Sequence, residues 1–495
     1  MKKTTCLLLA ALLIFGVAGC KRTKVDDNQS DTDSSVSGDF SSNVDSTASN
    51  DSDAWISVGG DESSGKEENN QGGGGNSQGS GGNSQGSGGN SSVVISGGQS
   101  ADSLFAKIPK NLSGKTIKVM TWWKISASEE AKAKLFTQKT GIKIKFDTVA
   151  LEDYYSKLAA KISASNAPDV AALNSEYFPI YITKKLFQPA KSVGFELNDP
   201  AYDMEVMNNF KWKNTHYGVT VKACSMNNFL LTYWNKTMFR QKNMTETPET
   251  LWKKGKWNWQ TCLELAQKMT DTKKDIYGLA YMYHWYWTAS ENQDFIKITD
   301  HGISSNFGNN KIYSSWKWAW DLKNTYKVTR NGAPTAAEFI NGKNAMFIYE
   351  AFLMQSQSDL NTMKDEWGVV PMPSPVGASG YVAPGVSHLW GVPVKSKQPA
   401  AGAWYIRYWL DPSYDLASYP AYKKKECYDI MEWMSSQKKR IWLSDGVLAY
   451  GGEYDYRKLQ HDLSYATPSE LQAKLDSWAS IYEANIKDIM KEYNS

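Results

Sequence analysis

KTIKVMTWWKISASEEAKAKLFTQKTGIKIKFDTVA, residues Lys115–Ala150, decides the fold. KTIKVMTWW alternates apolar and polar residues and reads as a strand ending at a tryptophan pair. SEEAKAKLFTQKTG follows as a helix, with Ser128 as its N-cap and Gly141 as its stop. IKIKFDTVA is a second strand. LEDYYSKLAAKISASNAP reads as a helix ending at Asn166 and Pro168, and PDVAALN as a third strand. Strands alternating with helices predict βαβ units and a mostly parallel sheet. Ligands of such sheets sit beyond the carboxyl ends of the strands. That topology puts Trp122-Trp123-Lys124 and Asn174-Ser175-Glu176-Tyr177 on one rim.

Downstream, about 390 residues from Leu104 to Ser495 are too many for one core and suit two lobes. Nineteen of the 20 tryptophans lie here, in runs such as WNW, YMYHWYW and WKWAW. Most must be core. Those in loops offer flat faces for the C–H side of a sugar ring, with nearby Asp, Glu and Asn as acceptors for its hydroxyls.

Upstream the composition changes. Residues 21–103 are rich in Ser, Asn, Asp, Gly and Gln, and GGNSQGS occurs at Gly74–Ser80 and again at Gly81–Ser87. No position of the seven-residue unit is apolar, so there is no coiled-coil seam. This composition predicts a disordered linker, with an r.m.s. reach on the order of 50 Å for about 83 residues. Before it, Lys2 and Lys3 precede an apolar run, too short to span a bilayer, that ends in Val17-Ala18-Gly19-Cys20. Residues 1–20 therefore read as an export signal. The cysteine after Ala-Gly resembles the lipoprotein type, in which Cys20 becomes the lipidated (palmitate-bearing) N-terminus. The alternative is an ordinary secretion signal with an incidental Cys20.

Charge divides the chain the same way. Residues 21–103 hold 4 Lys/Arg against 13 Asp/Glu, and residues 1–20 carry two lysines; with a total of +3, residues 104–495 carry +10. The lysines are scattered, as in KKLFQPAK, and read as a solvated surface. No nucleic-acid motif appears, and nucleic acid is not an expected partner. The five histidines lack metal-ligand spacing, so no metal site and no cofactor are expected. Cys224, Cys262 and Cys427 imply no disulfide and read as small buried hydrophobes.

The order of motifs from residue 114 to 495 resembles the extracellular solute-binding proteins of ABC importers, the maltose-binding-protein-like family 1. The resemblance rests on KTIKVMTWW, on SNAPDVAALNSEYFPIYITKKLFQPA (Ser165–Ala190) and on THYGVTVKACSMNNFLLTYWNKTMF (Thr215–Phe239). It continues through WNWQTCLELAQKMTDTKKDIYGLA (Trp257–Ala280), FINGKNAMFIYEAF (Phe339–Phe352), WGVVPMPSPVG and HLWGVPVKSKQPAAGAWYIRYWLDP (His388–Pro412). Val219-Thr220 and Glu350 depart from it, standing where the family usually has a Pro and a Gly. Met434–Tyr454 matches no pattern.

The resemblance implies an α/β, two-lobed periplasmic-binding-protein-like fold. Crossovers would lie near Lys222–Asn228, Pro371–Val376 and Tyr428–Ser436. Lobe one would span about 104–222 plus 377–430, and lobe two about 227–370 plus 435–495. A small-molecule ligand would bind between the lobes of a monomer held by its lipid on the outer face of the cell membrane. Its partners would be ABC permease subunits. No P-loop occurs, so ATP hydrolysis would belong to another chain.

The expected ligand contacts are Trp122, Trp123, Lys124, Asn174, Glu176, Tyr177, Asn228, Trp285, Trp287, Glu350, His388 and Trp390. For each, a structural role competes. Trp122 and Trp123 would point opposite ways, one into the core. Lys124 is equally a solvated lysine, Asn174 and Glu176 equally a helix cap, and Tyr177 a weaker contact of the same kind. Asn227-Asn228 would lie in a hinge strand. Trp285 and Trp287 would share a face if extended, with a buried tryptophan pair as the alternative, and Glu350 would end a strand. His388 and Trp390 would share a strand face, with core packing the stronger reading. A glycosidase is excluded as the main reading, because carboxylates on two moving lobes cannot hold a fixed separation. No catalytic residue is therefore expected. A glycan-capturing surface lipoprotein, a sensor and a polyamine receptor remain as alternatives to a sugar importer's receptor.

Overall fold

The structure is a computed structural model and describes residues 101–226, 228–299, 301–330, 334–354, 359–385, 388–411, 425–437, 440–442 and 456–494. Cys20, the export signal, residues 21–100 of the expected linker and Asn227 lie outside the described residues; residues 101–103, expected as linker, begin a helix, Ala101–Lys107.

The first strands form as the sequence pattern requires. β1 (Thr116–Thr121) buries Ile117, Val119, Met120 and Thr121. A helix over Ala127–Thr140 returns the chain to β2 (Lys143–Thr148), parallel to β1. Its N-cap is Ser126, not the expected Ser128: Ser126 and Glu129 form a capping box, which satisfies donors at both ends of the first turn. Gly141 ends it in the left-handed region (φ 75°). A side chain there would collide with Ser113, so glycine is required twice over. The next helix, Leu151–Ser163, ends before the expected Asn166, and Ser165 takes the left-handed turn at φ 57°. β3 (Val170–Asn174) follows, parallel to β1 and wholly buried. The Asp169 carboxylate, itself buried, accepts from the Lys118 N–H at 3.0 Å, the Ser396 hydroxyl at 2.7 Å and the Lys397 and Gln398 N–H groups at 3.1 and 3.0 Å. The Pro168-Asp169 motif thereby ties β1 to the start of the distant helix Pro399–Trp409.

The chain then leaves this sheet. Lys222–Met226 is a short helix, not the expected hinge strand, and Asn228 lies in the turn after it. β4 (Leu230–Asn235) is fully buried at the centre of a second sheet. β5 (Ala280–Tyr281) is parallel to β6 (Met346–Glu350), while β6 and β7 (Trp367–Pro371) flank β4 antiparallel. Helix Trp259–Met269 buries Trp259, Cys262, Leu263, Leu265, Ala266 and Met269 at helical spacing. β8 (His388–Gly391) returns to the first sheet, antiparallel to β3. Gly391 allows this: a Cβ there would meet Leu173 and the Tyr217 carbonyl at 2.7 Å.

Among the described residues the two larger sheets are four-stranded, ordered β8-β3-β1-β2 and β7-β4-β6-β5. The expected third crossing at Tyr428–Ser436 falls inside a continuous helix, Lys425–Ser435. That helix lies against β7 and is tied to Lys236 through Glu426 at 3.2 Å, so it already belongs to the second sheet's body. Cys224, Cys262 and Cys427 are free thiols. No described helix is long and apolar enough to cross a membrane, and no described group of His, Cys, Asp or Glu has metal-site geometry.

Candidate functional site

β1 and β3 are parallel, so Thr121 and Asn174 end at the same edge of the first sheet. β8 arrives there antiparallel, with His388 paired to Asn174. Around this edge Trp122, Trp123, His388 and Trp390 come together. Trp122 and Trp123 do not point opposite ways, because β1 ends at Thr121 before either residue. Their rings meet edge to face at 5.1 Å, and each lies 5.5 Å from the His388 ring. Trp123 also stands edge-on to Trp390 at 5.6 Å.

Trp122 is buried on Tyr154, Trp390 is buried on Trp409, and Trp123 is half-exposed. Trp122 and Trp390 are therefore the core of the cluster, and Trp123 and His388 its reachable face. Burial pushes His388 down to about 4, so its ring is neutral near pH 7 and carries one donor and one acceptor.

Glu129 was not among the expected contacts. Its carboxylate accepts from the Trp123 indole N–H at 3.0 Å and from the Ser126 N–H at 2.8 Å. The capping box that starts the helix thus fixes the half-buried Trp123. Its signal in the sequence is Ser126-Ala127-Ser128-Glu129. Lys124, next along, is exposed.

Asn174 accepts from the Tyr181 hydroxyl at 3.0 Å. Tyr177 stacks on Tyr155 at 6.0 Å with rings 13° from parallel. Glu176 lies in the turn Ser175–Tyr177 between them; its side chain lies outside the described ones.

The second sheet contributes a different set. Glu350 ends β6 fully buried. Its carboxylate accepts from the Tyr286 hydroxyl, and its carbonyl accepts from the Tyr233 hydroxyl at 2.9 Å. Burial and the Glu350 charge push Tyr286 well up, so it stays a phenol that donates. Trp285 touches Tyr286 at 4.5 Å and stacks on Tyr283 at 5.4 Å. The segment is not extended: Trp285–Ser290 is helical, so Trp285 and Trp287, two apart, share no face, and both are buried. Trp287 is fully buried among Trp259, Tyr281 and Trp318 and packs in the core. Asn228 donates to the Cys224 carbonyl at 3.0 Å, which closes the turn after the helix Lys222–Met226.

One segment joins the sets. Phe229 bridges Gly385, and its carbonyl accepts from the Ala351 N–H at 2.8 Å, beside Glu350. The strand Ala383–Gly385 lies against helix Trp285–Ser290 and leads three residues later to His388.

Residues 131–422 match the family described as bacterial extracellular solute-binding protein. A comparison with curated protein sequences finds no match. Among solved structures, an ABC substrate-binding protein of Listeria monocytogenes in complex with cycloalternan is 18% identical. The match covers 77% of this chain and 98% of that one, with a TM-score of 0.53. The Thermus thermophilus maltotriose-binding protein, bound to maltotriose, is 14% identical over 75% of this chain and 100% of that one, at 0.57. The Bifidobacterium longum galacto-N-biose/lacto-N-biose I-binding protein, in complex with lacto-N-biose, is 14% identical over 77% and 97%, at 0.57.

Proposed function

Because the chain belongs to the bacterial extracellular solute-binding proteins, a family of binding proteins rather than enzymes, we propose that it captures a mono- or oligosaccharide between its two lobes. It delivers that ligand, as a monomer, to an ABC permease. The observation that carries this reading is the rim at the end of β1, where Trp123 is held by Glu129 beside a neutral His388. An indole face answers the C–H side of a sugar ring, and a neutral imidazole both donates to and accepts from hydroxyls. The Trp285, Tyr286 and Glu350 set supplies a second aromatic and a carboxylate acceptor. Sugar-bound proteins of the same fold support the ligand class.

Lobe one takes about residues 104–222 with 377–411. Lobe two takes about 227–370 and the chain from Lys425 onward. Ligand stabilises the closed arrangement by its differential affinity for it. The lipid on Cys20 keeps the receptor on the outer face of the membrane, and the linker lets the lobes sweep for ligand.

A thermal-shift screen of the full chain against mono- and oligosaccharides, spermidine and divalent metals tests the ligand class. A sugar that raises the melting temperature and quenches tryptophan fluorescence supports it. No response to sugars with a response to spermidine or a metal overturns it. Incorporation of labelled palmitate in cells, lost in Cys20→Ala, tests the anchor; equal labelling of the variant removes it.

A further inference from the structure

The C-terminal helix Pro468–Asn494 rides for most of its length on the second sheet's body. Tyr482 lies 4.6 Å from Phe307 and 6.3 Å from Phe295, and Met490 sits over Gly302. The helix also packs on helix Asn310–Asn324, which is tied to β5 where the Tyr281 hydroxyl donates to the Ala319 carbonyl at 3.0 Å.

Its last turn reaches the other body. Glu492 pairs with Lys184, just after helix Phe178–Thr183, and that helix follows β3 of the first sheet. Tyr493 stands edge-on to the fully buried Trp212 at 5.3 Å and 73°. The ammonium of Lys213 lies 4.6 Å from the centre of the Tyr493 ring. Trp212 and Lys213 belong to a hairpin, Lys211–His216, with Lys213 and Asn214 both left-handed at φ 45° and 59°. Those angles are a two-residue turn of the tight primed kind, which fixes where Lys213 points. The hairpin follows Phe210, whose ring packs on Phe178 at 5.5 Å, so both contacts fall on the first body.

We propose that the final turn of the C-terminal helix is a latch between the two bodies, with Glu492 and Tyr493 as its two contacts, and that it favours the closed arrangement before any ligand arrives. The chemistry suits a reversible catch. The side chains of Lys184 and Glu492 keep 28% and 43% of their exposure, so water can replace the pair on opening. Tyr493 adds an edge-to-face ring contact and a cation–π contact, each modest and local. Glu492 also lies close enough to add to the burial that pushes Tyr155 up to about 12. Tyr155 stacks on Tyr177 in the rim turn, so the latch abuts the candidate binding edge. The latch goes beyond the proposed function and does not depend on which solute the protein takes.

The test uses the full chain without ligand. In a Cys224→Ser background, nitroxides at Gln138→Cys and Ser314→Cys, exposed positions on helices of the two bodies, report their separation by pulsed electron–electron resonance. Glu492→Ala with Tyr493→Ala is expected to move weight to longer distances, changing the open-to-closed ratio about threefold to tenfold. The charge swap Lys184→Glu with Glu492→Lys, keeping Tyr493, is expected to restore most of the short-distance population. Hydrogen exchange of residues 470–486 should stay unchanged. An unchanged distance distribution in the Ala pair overturns the latch. So does a shift accompanied by lost protection along the whole helix, which would mean the helix had frayed.

Discussion

The two sheet edges proposed to flank the ligand are built on opposite plans. The first sheet presents rings around a histidine: Trp122, Trp123 and Trp390 lie within 5.1–6.2 Å of one another or of His388, and Glu129 holds Trp123 at the outer edge. The second sheet presents a buried carboxylate, Glu350, held by a phenol from a neighbouring helix. A ring cluster tolerates the loss of an outer member, whereas a buried carboxylate is costly once a donor is removed. The first rim is therefore suited to adjust to a ligand, and the second to hold fixed geometry.

The largest effect that sharpens this contrast is on pH. Each region has a histidine kept neutral by burial: His388 at about 4 on the first rim, and His284 at about 3 beside Trp316 and Ser464 in the second body. Both lie below the usual 6.5, so below that pH the unfolded chain binds protons that the folded chain does not. Stability is complete above about pH 6.5 and lost as pH falls towards 4 and then 3. The loss should be on the order of 3–5 kcal/mol per histidine by the lower limit. Denaturant midpoints measured from pH 8 to 4 check this. His388→Gln should flatten the slope between pH 6.5 and 4, and an unflattened slope would mean that its ring is solvated.

Next comes truncation within the first rim. Trp390→Ala should cost about 3–5 kcal/mol of stability because it hollows a packed cluster. Trp123→Ala should cost far less stability and far more ligand affinity. Equal stability losses would show that Trp123 is core too. On the second rim, Tyr286→Phe should cost about 1.5–3 kcal/mol in urea unfolding by removing a hydrogen bond to a buried charge. A loss of only a few tenths would break the contrast. Glu129→Ala should cost about 1 kcal/mol as a lost helix cap and broaden the Trp123 emission. Lys124→Ala should leave stability within about 0.5 kcal/mol.

How far the sequence disclosed all this follows from how local each signal is. β1 and its helix were readable because strand period and Gly141 act within the element; the two-residue error at the N-cap arose because Ser128, inside the Ser126–Glu129 box, is as good a capping residue as Ser126. The arrival of Trp122-Trp123 and Asn174 at one edge was foreshadowed by topology, since parallel strands carry their ends to one edge; His388, which reaches that edge on the antiparallel β8, was not placed there by it. Trp285 and Trp287, both buried, stood open between a shared ligand face and a buried pair because YMYHWYW has no period of its own. Its helix is fixed by Trp259 and Trp318, distant in sequence. For the stretch Tyr428–Ser436, likewise, the contacts with β7 and Lys236 that put its helix beside the second sheet are distant in sequence. Glu350 was readable as a strand end but not as a buried acid, since its phenol partner lies 64 residues away.

The central claim is that the two rims grip one sugar. Calorimetric titration of the best sugar from the thermal screen, on the wild type, Trp123→Ala and Glu350→Gln, tests it most directly. The account predicts that each variant weakens binding at least about tenfold, equal to about 1.4 kcal/mol, with folding intact. Unchanged affinity in either variant would contradict it.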